Sequence, residues 1–258
     1  MTLNLSPEFT YGFFLILIRT TSMLVSAPLL SHRAIPAWMR IGFSVFFSLV
    51  LTPLQADRLP GAPANYGTLA GAVLSEALFG LALGLCMQLV FVGLSMGSHI
   101  IGLQMGYGLG SVYDPLTGAQ FGAFDQFYAV LVTLIFFSVN AHYIIIQALA
   151  ETLRAVPLGT FNPLTIQASA IAGIAAGMLV TAVRVVMPVL VALFLADVGM
   201  GFVARTVPQA NILIVGFPIK IGVGILVLMA ALPATASLMT VTFGGPLAGS
   251  SQALLGAR

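Results

Sequence analysis

The chain has 258 residues, 59% of them hydrophobic and only 6% charged, with a formal net charge of +2. Soluble domains carry roughly a quarter charged residues, and with a mean hydropathy of +1.09 this chain has too little polar surface to coat a soluble globule. Its natural solvent is lipid or other apolar protein; the thin charge argues against a nucleic-acid partner, and a single Cys86 excludes an intrachain disulfide and a cysteine-rich metal site.

A bilayer core takes about 20 apolar residues in a helix. Six segments reach that length: Phe9–Ser31, Ala37–Ala56, Leu69–Gly97, Phe127–Ala150, Ile166–Ala196 and Asn211–Met239. The opening MTLNLSPEF carries Glu8 and no Lys or Arg, unlike a cleavable signal peptide, so the first run reads as a retained span. Arg33 and Arg40 flank the break HRAIP and favour a cytoplasmic first loop with the N-terminus outside. The stretch from Leu69 to Leu109 has no proline. As one helix it would be about 60 Å long, twice a bilayer core; it therefore bends, stops in its glycine-rich end or projects beyond the lipid. Pro188, Pro218 and Pro233 interrupt the long fifth and sixth runs, and the carbonyls they free need protein or a wet cavity. The fold class expected is an all-α integral membrane protein of about six long, kinked apolar helices arranged as hairpins. Residues 1–242 form one membrane domain, and the glycine-rich stretch 243–258 forms a loose tail.

Charged residues inside these runs are Arg19, Glu76, Arg184 and Lys220. Each costs at least about 2.5–3.5 kcal/mol near mid-bilayer. They mark either an ion pathway or burial against a partner carboxylate, with snorkelling at a helix end as a further option. Glu76, near the start of its run, is placed at the interface. Arg184 sits mid-run, one turn before Pro188, and is expected to face protein or water. The pairs Gly80/Gly84, Gly93/Gly97 and Gly173/Gly177 have the four-residue spacing that lets helix backbones approach closely; packing within the chain is the plainer reading of each.

GLQMGYGLGSVYDPLTGAQFG, residues 102–122, is the least helix-like central stretch. No lysine follows a glycine loop and no strand precedes it, which disposes of a nucleotide loop. It is either a plain solvent loop or a flexible apolar constriction lining a passage. His32, His99 and His142 lie in different segments and read as polar packing residues. With seven Asp and Glu in all and no HExxH motif, nothing suggests catalysis, a metal or a cofactor. A small-solute transporter using Arg184 or Lys220 near broken helices is the main rival at this level.

RTVPQANILIVGFPIK, residues 205–220, supplies the sharpest signal. Arg205, Pro208, Gln209, Asn211, Pro218 and Lys220 meet a pattern R-x-x-P-Q-x-N followed by P-x-K, which resembles the FliR family of flagellar biosynthesis proteins and their virulence-secretion counterparts. Other pieces resemble it too. Arg19 is followed by Pro28, Arg33, Pro36 and Arg40 of the first hairpin. Glu76, Gly80 and Gly84 open the third run, the central stretch ends in Asp114-Pro115, and Asn140–His142 precedes LRAVPLG. Asn140 is a departure, because a glycine is the more usual residue there.

The resemblance implies a noncatalytic subunit of a type III export gate in the bacterial inner membrane and flagellar basal body. Its helices would be packed into a helical hetero-oligomer with FliP- and FliQ-like subunits and an FlhB-like switch subunit. It would pass unfolded flagellar substrates, without cofactor and without homo-oligomerising. The virulence branch is the alternative, and the continuation VGFPIKIGVG is closer to the flagellar one. The resemblance also implies a channel plug at Gly106–Gly122, carried by Gly106, Tyr107, Gly108, Leu109, Gly110, Val112, Tyr113, Asp114, Pro115, Gly118 and Gly122. Arg19, Arg40, Glu76, Arg184, Arg205, Pro208, Gln209, Asn211, Pro218 and Lys220 are expected to serve assembly and packing. Gln209 and Asn211 would bond exposed backbone where the fifth helix turns into the sixth, and Arg205 would meet a carboxylate of this or a neighbouring chain.

Overall fold

The computed structural model describes residues 6–28, 35–107, 122–161, 168–206 and 212–254. Among these are seven α-helices: α1 Pro7–Ser26, α2 Ala37–Leu54, α3 Tyr66–Met105, α4 Ala123–Ser138, α5 Ala141–Ala155, α6 Ala168–Thr206 and α7 Ile212–Leu254. A short 3-10 turn, Ala56–Arg58, follows α2. Five helices are long and apolar enough to cross a membrane, or six spans if the broken pair α4–α5 counts as one. The all-α membrane architecture expected from composition is therefore observed.

Local chemistry fixes the helix starts. Ser6 caps α1 by accepting from the Phe9 amide at 3.2 Å, with Pro7 in the first turn. Asn65 caps α3 by accepting from the Thr68 amide at 2.8 Å. On α2, the fully buried Ser44, Ser48 and Thr52 each donate to the carbonyl four residues earlier, at 2.9, 2.7 and 2.6 Å. No hydroxyl of that ladder is left unpaired in an apolar setting, which is the condition for burying it there.

Without proline, α3 runs unbroken for 40 residues, about 60 Å. Of the outcomes open in the sequence, the helix takes the stop in the glycine-rich end, at Met105. The fourth apolar run departs from expectation. It is not one continuous helix, because α4 ends at Ser138 and α5 begins at Ala141. Asn140 between them has φ +54°, and among the described residues it is the one non-glycine with positive φ. A left-handed residue cannot continue a right-handed helix, and asparagine tolerates that conformation better than most side chains. The glycine expected at this position and the asparagine found there thus answer one backbone requirement. At the far end, α7 continues through residue 243 to Leu254, into the stretch that composition left as a loose tail.

The chain packs as two compact units. The first comprises residues 1–89, 142–177 and 243–258; its buried residues include Leu15, Ile16, Met23, Phe79, Leu83 and Leu153. Here Gly80 and Gly84 lie directly against α1. A Cβ on Gly80 would fall on the Arg19 carbonyl and the Ser22 hydroxyl, and one on Gly84 would come 2.6 Å from the Met23 carbonyl. The second unit comprises residues 90–141 and 178–242, with Leu94, Ile101, Met105, Val132, Val189 and Leu193 among its buried residues. In it Gly93 and Gly97 meet Ala182 and Val186 of α6. Both pairs pack within the chain, as the plainer reading held. Among the described residues, nothing lies within 4 Å of a Cβ built on Gly173 or Gly177.

Candidate functional site at the root of the glycine-rich loop

One buried ionic cluster organises the first unit. The Arg19 Nε donates to Glu76 Oε2 at 2.5 Å and its Nη2 to Oε1 at 3.1 Å, a two-pronged pairing between side chains that are both fully buried. Two further guanidinium protons reach the Thr152 carbonyl at 3.1 Å and the Val156 carbonyl at 3.2 Å. Those carbonyls lie at the end of α5 and just beyond it, where a cation is favoured; the Thr152 carbonyl also accepts from the Val156 amide at 2.9 Å. Gly159, at φ +73°, turns its amide onto Glu76 Oε1 at 2.7 Å. The guanidinium also lies 4.7 Å from the Phe79 ring centre, and Phe79 makes an edge contact with Phe161 at 4.8 Å. One arginine thereby joins α1, α3 and the end of α5. Glu76 is half of a buried pair; its position early in an apolar run gave no view of the partner from α1.

The loop root lies in the second unit. At the end of α3 the Tyr107 amide donates to the Gly102 carbonyl at 2.9 Å and the Gly106 amide to the Leu103 carbonyl at 3.1 Å. Gly106 has φ +94°, the left-handed glycine termination of a helix. Phe217 of α7 occupies the space a Gly106 Cβ would need. On the return side Gly122 caps α4, and its amide donates to Asp125 Oδ2 at 3.0 Å. The buried Asp125 carboxylate also accepts from Ser98 Oγ at 3.2 Å and lies 3.1 Å from His99 Nδ1. Tyr107 stacks on Phe124, centroids 5.9 Å apart. The two ends of the loop are thus tied together by a carboxylate on one side and an aromatic pair on the other.

Of the residues expected to form the loop, Gly106, Tyr107 and Gly122 stand at this root. Gly108, Leu109, Gly110, Val112, Tyr113, Asp114, Pro115 and Gly118 lie outside the described residues, as do Pro208, Gln209 and Asn211. Arg40 bonds locally, its Nη2 donating to the Ile35 carbonyl at 2.9 Å. Lys220 pairs with Asp197 of α6. Pro218, Arg184 and Arg205 are exposed. Sequence reasoning missed Asp125, Ser98, Gly159 and Asp197 as polar partners. Only Asp125 carried a readable signal, an acid three residues after the glycine that opens a helix. Among the described residues no group of three or more His, Cys, Asp or Glu is placed to hold a metal ion. The geometry is that of two apolar helices, α3 and α4, with the end of one tied to the start of the other.

Known proteins resemble the chain over most of its length. The family described as Bacterial export proteins, family 1, matches residues 10–245. The chain is similar to the flagellar biosynthetic protein FliR of Bacillus subtilis (strain 168), 35% identical over 226 residues and covering 86% of each chain. It is also similar to the proteins of that name from Pectobacterium carotovorum subsp. carotovorum and Escherichia coli (strain K12). Each of these is 30% identical over 224 residues, covering 86% of this chain and 84% of the relative. With a match reaching from α1 into α7 and relatives aligned over most of their own length, the chain belongs to the family of bacterial export proteins that includes the FliR proteins of flagellar biosynthesis.

Proposed function

We propose that this chain is a noncatalytic subunit of the flagellar type III export gate in the bacterial inner membrane, forming part of the channel for unfolded flagellar proteins. The observation that carries the reading is the near-full-length match to relatives named for flagellar biosynthesis, taken with membrane-length helices whose central loop is tied at its root. The partners are FliP- and FliQ-like subunits in a helical assembly, with an FlhB-like subunit at the cytoplasmic entrance. The chain works as one membrane unit and in a single copy.

Gly106–Gly122 acts as the plug. Glycines let the loop yield, and apolar side chains fill a closed pore without binding cargo tightly. Gly106, Tyr107 and Gly122 hold the base of the plug in place. Arg205, Pro208, Gln209 and Asn211 hold the passage from α6 into α7 in the assembly, and an Arg205→Ala, Gln209→Ala double variant is expected to lose complex. The transporter reading gains no support, since Lys220 is engaged by Asp197 and Arg184 is exposed. Shortening the loop within Gly106–Gly122 in the assembled gate tests the plug. Increased leakage of small ions across the membrane is the expected result, and unchanged permeability counts against it.

A further inference from the structure

The outward face of α6 poses a problem that this chain does not solve for itself. Stepping by four and three residues from Val180, the helix presents Arg184, Met187, Val191, Phe194 and Val198, all exposed. The apolar members are large, with Met187 48%, Val191 50% and Phe194 62% exposed. On the opposite face, Ala182 and Val186 meet Gly93 and Gly97 of α3, and Val189 and Leu193 are buried. One side of α6 is therefore covered by a helix of its own chain, and the other is an uncovered apolar strip with a guanidinium in it.

That guanidinium decides what covers the strip. The span-length part of α6 runs from Ala175 to Thr206, about 48 Å, and Arg184 stands about 14 Å along it, with apolar residues of the strip on either side. Lipid tails would cover the valines and Phe194 without cost but would leave the charge unmatched. The described carboxylates of the same unit are committed elsewhere, Asp125 to Ser98 and Gly122, and Asp197 to Lys220. Among the described residues none pairs with Arg184. The alternating step of four and three is that of a left-handed helix–helix seam.

We infer that this strip is a docking face for an apolar membrane helix of another subunit, one carrying an Asp or Glu within its span to pair with Arg184. The inference rests on the export-gate reading and names one contact of that assembly. The carboxylate partner also sets register, because a buried pair tolerates little sliding.

The test uses the whole gate complex isolated from its own cells. A photo-crosslinking amino acid placed at Met187, beside the arginine and already exposed, is expected to capture another subunit of the complex. Arg184→Glu is expected to lower assembled complex at least about tenfold, with Arg184→Lys retaining most of it. Second-site revertants of Arg184→Glu are expected to replace an acidic residue by Lys or Arg in an apolar helix of the captured subunit. Crosslinks from Met187 to lipid or to this chain alone would overturn the inference, as would rescue by Asp114→Lys or full assembly of both Arg184→Glu and Arg184→Leu. Failure of the wild-type chain to copurify with other membrane subunits would instead defeat the export-gate reading, so the two failures are distinguishable.

Discussion

Arg19 and Glu76, 57 residues apart in sequence, meet at 2.5 Å with both side chains fully buried. Every remaining polar contact of the pair goes to backbone at or just beyond the end of α5. Removing either partner leaves an uncompensated charge and costs about 3–5 kcal/mol. Glu76→Ala and Arg19→Ala should each lower the thermal midpoint and yield of detergent-extracted protein. The exchange Arg19→Glu, Glu76→Arg should not restore it, because the Thr152 and Val156 carbonyls would then face a carboxylate. Thermal unfolding of the four proteins checks this.

The glycine pairs separate cleanly. Gly80→Ala and Gly84→Ala put a methyl onto the backbone of α1, so both should reduce the folded yield, by about 1–3 kcal/mol if measured as stability. Gly173→Ala and Gly177→Ala meet nothing within 4 Å among the described residues. They should leave its own stability unchanged or slightly raised, as helix propensity predicts. Any loss of assembled complex from those two variants, with normal stability of the chain itself, would mark a neighbour approaching that face.

The all-α membrane class and five of the six runs were legible because apolar length is a direct demand of the bilayer. Helix ends were less so. Residues 197–206 extend α6 past the fifth apolar run although they include Asp197 and Arg205, since Asp197 is answered by Lys220 of α7. The break at Asn140 was hidden because hydropathy does not register one residue's φ. Family resemblance flagged that residue as a departure but not its conformation. Arg19 and Glu76 were each visible as costly, yet their pairing depends on which helix neighbours which, and the spacing along a single chain does not encode that. The loop root was half legible: glycines signalled a break, whereas Asp125 as its tie required seeing Ser98, His99 and Gly122 around one carboxylate.

Asn140 should accept glycine and reject branched side chains. Asn140→Gly is expected to be neutral, while Asn140→Val should destabilise by about 1–2 kcal/mol for holding a β-branched residue in the left-handed region. Denaturation of the purified variants, or complex yield where denaturation is irreversible, measures the difference.

Asp125 should matter to the loop more than to the rest of the fold. Asp125→Ala removes the acceptor of Ser98 and Gly122 together, so protease cleavage within residues 108–121 should accelerate several-fold and cells should leak small ions. Asp125→Asn keeps one acceptor oxygen and should show a milder form of both. His99→Gln is expected to retain a donor to Asp125 and stay close to wild type. Equal cleavage rates in all four proteins would remove Asp125 from the account.

The central claim is that this chain is one subunit of a hetero-oligomeric export gate, and native mass spectrometry of the tagged protein, gently extracted from its own cells, tests it most directly. The account predicts a single copy of this chain held with several copies of two smaller membrane proteins. A lone chain or a homo-oligomer would contradict it.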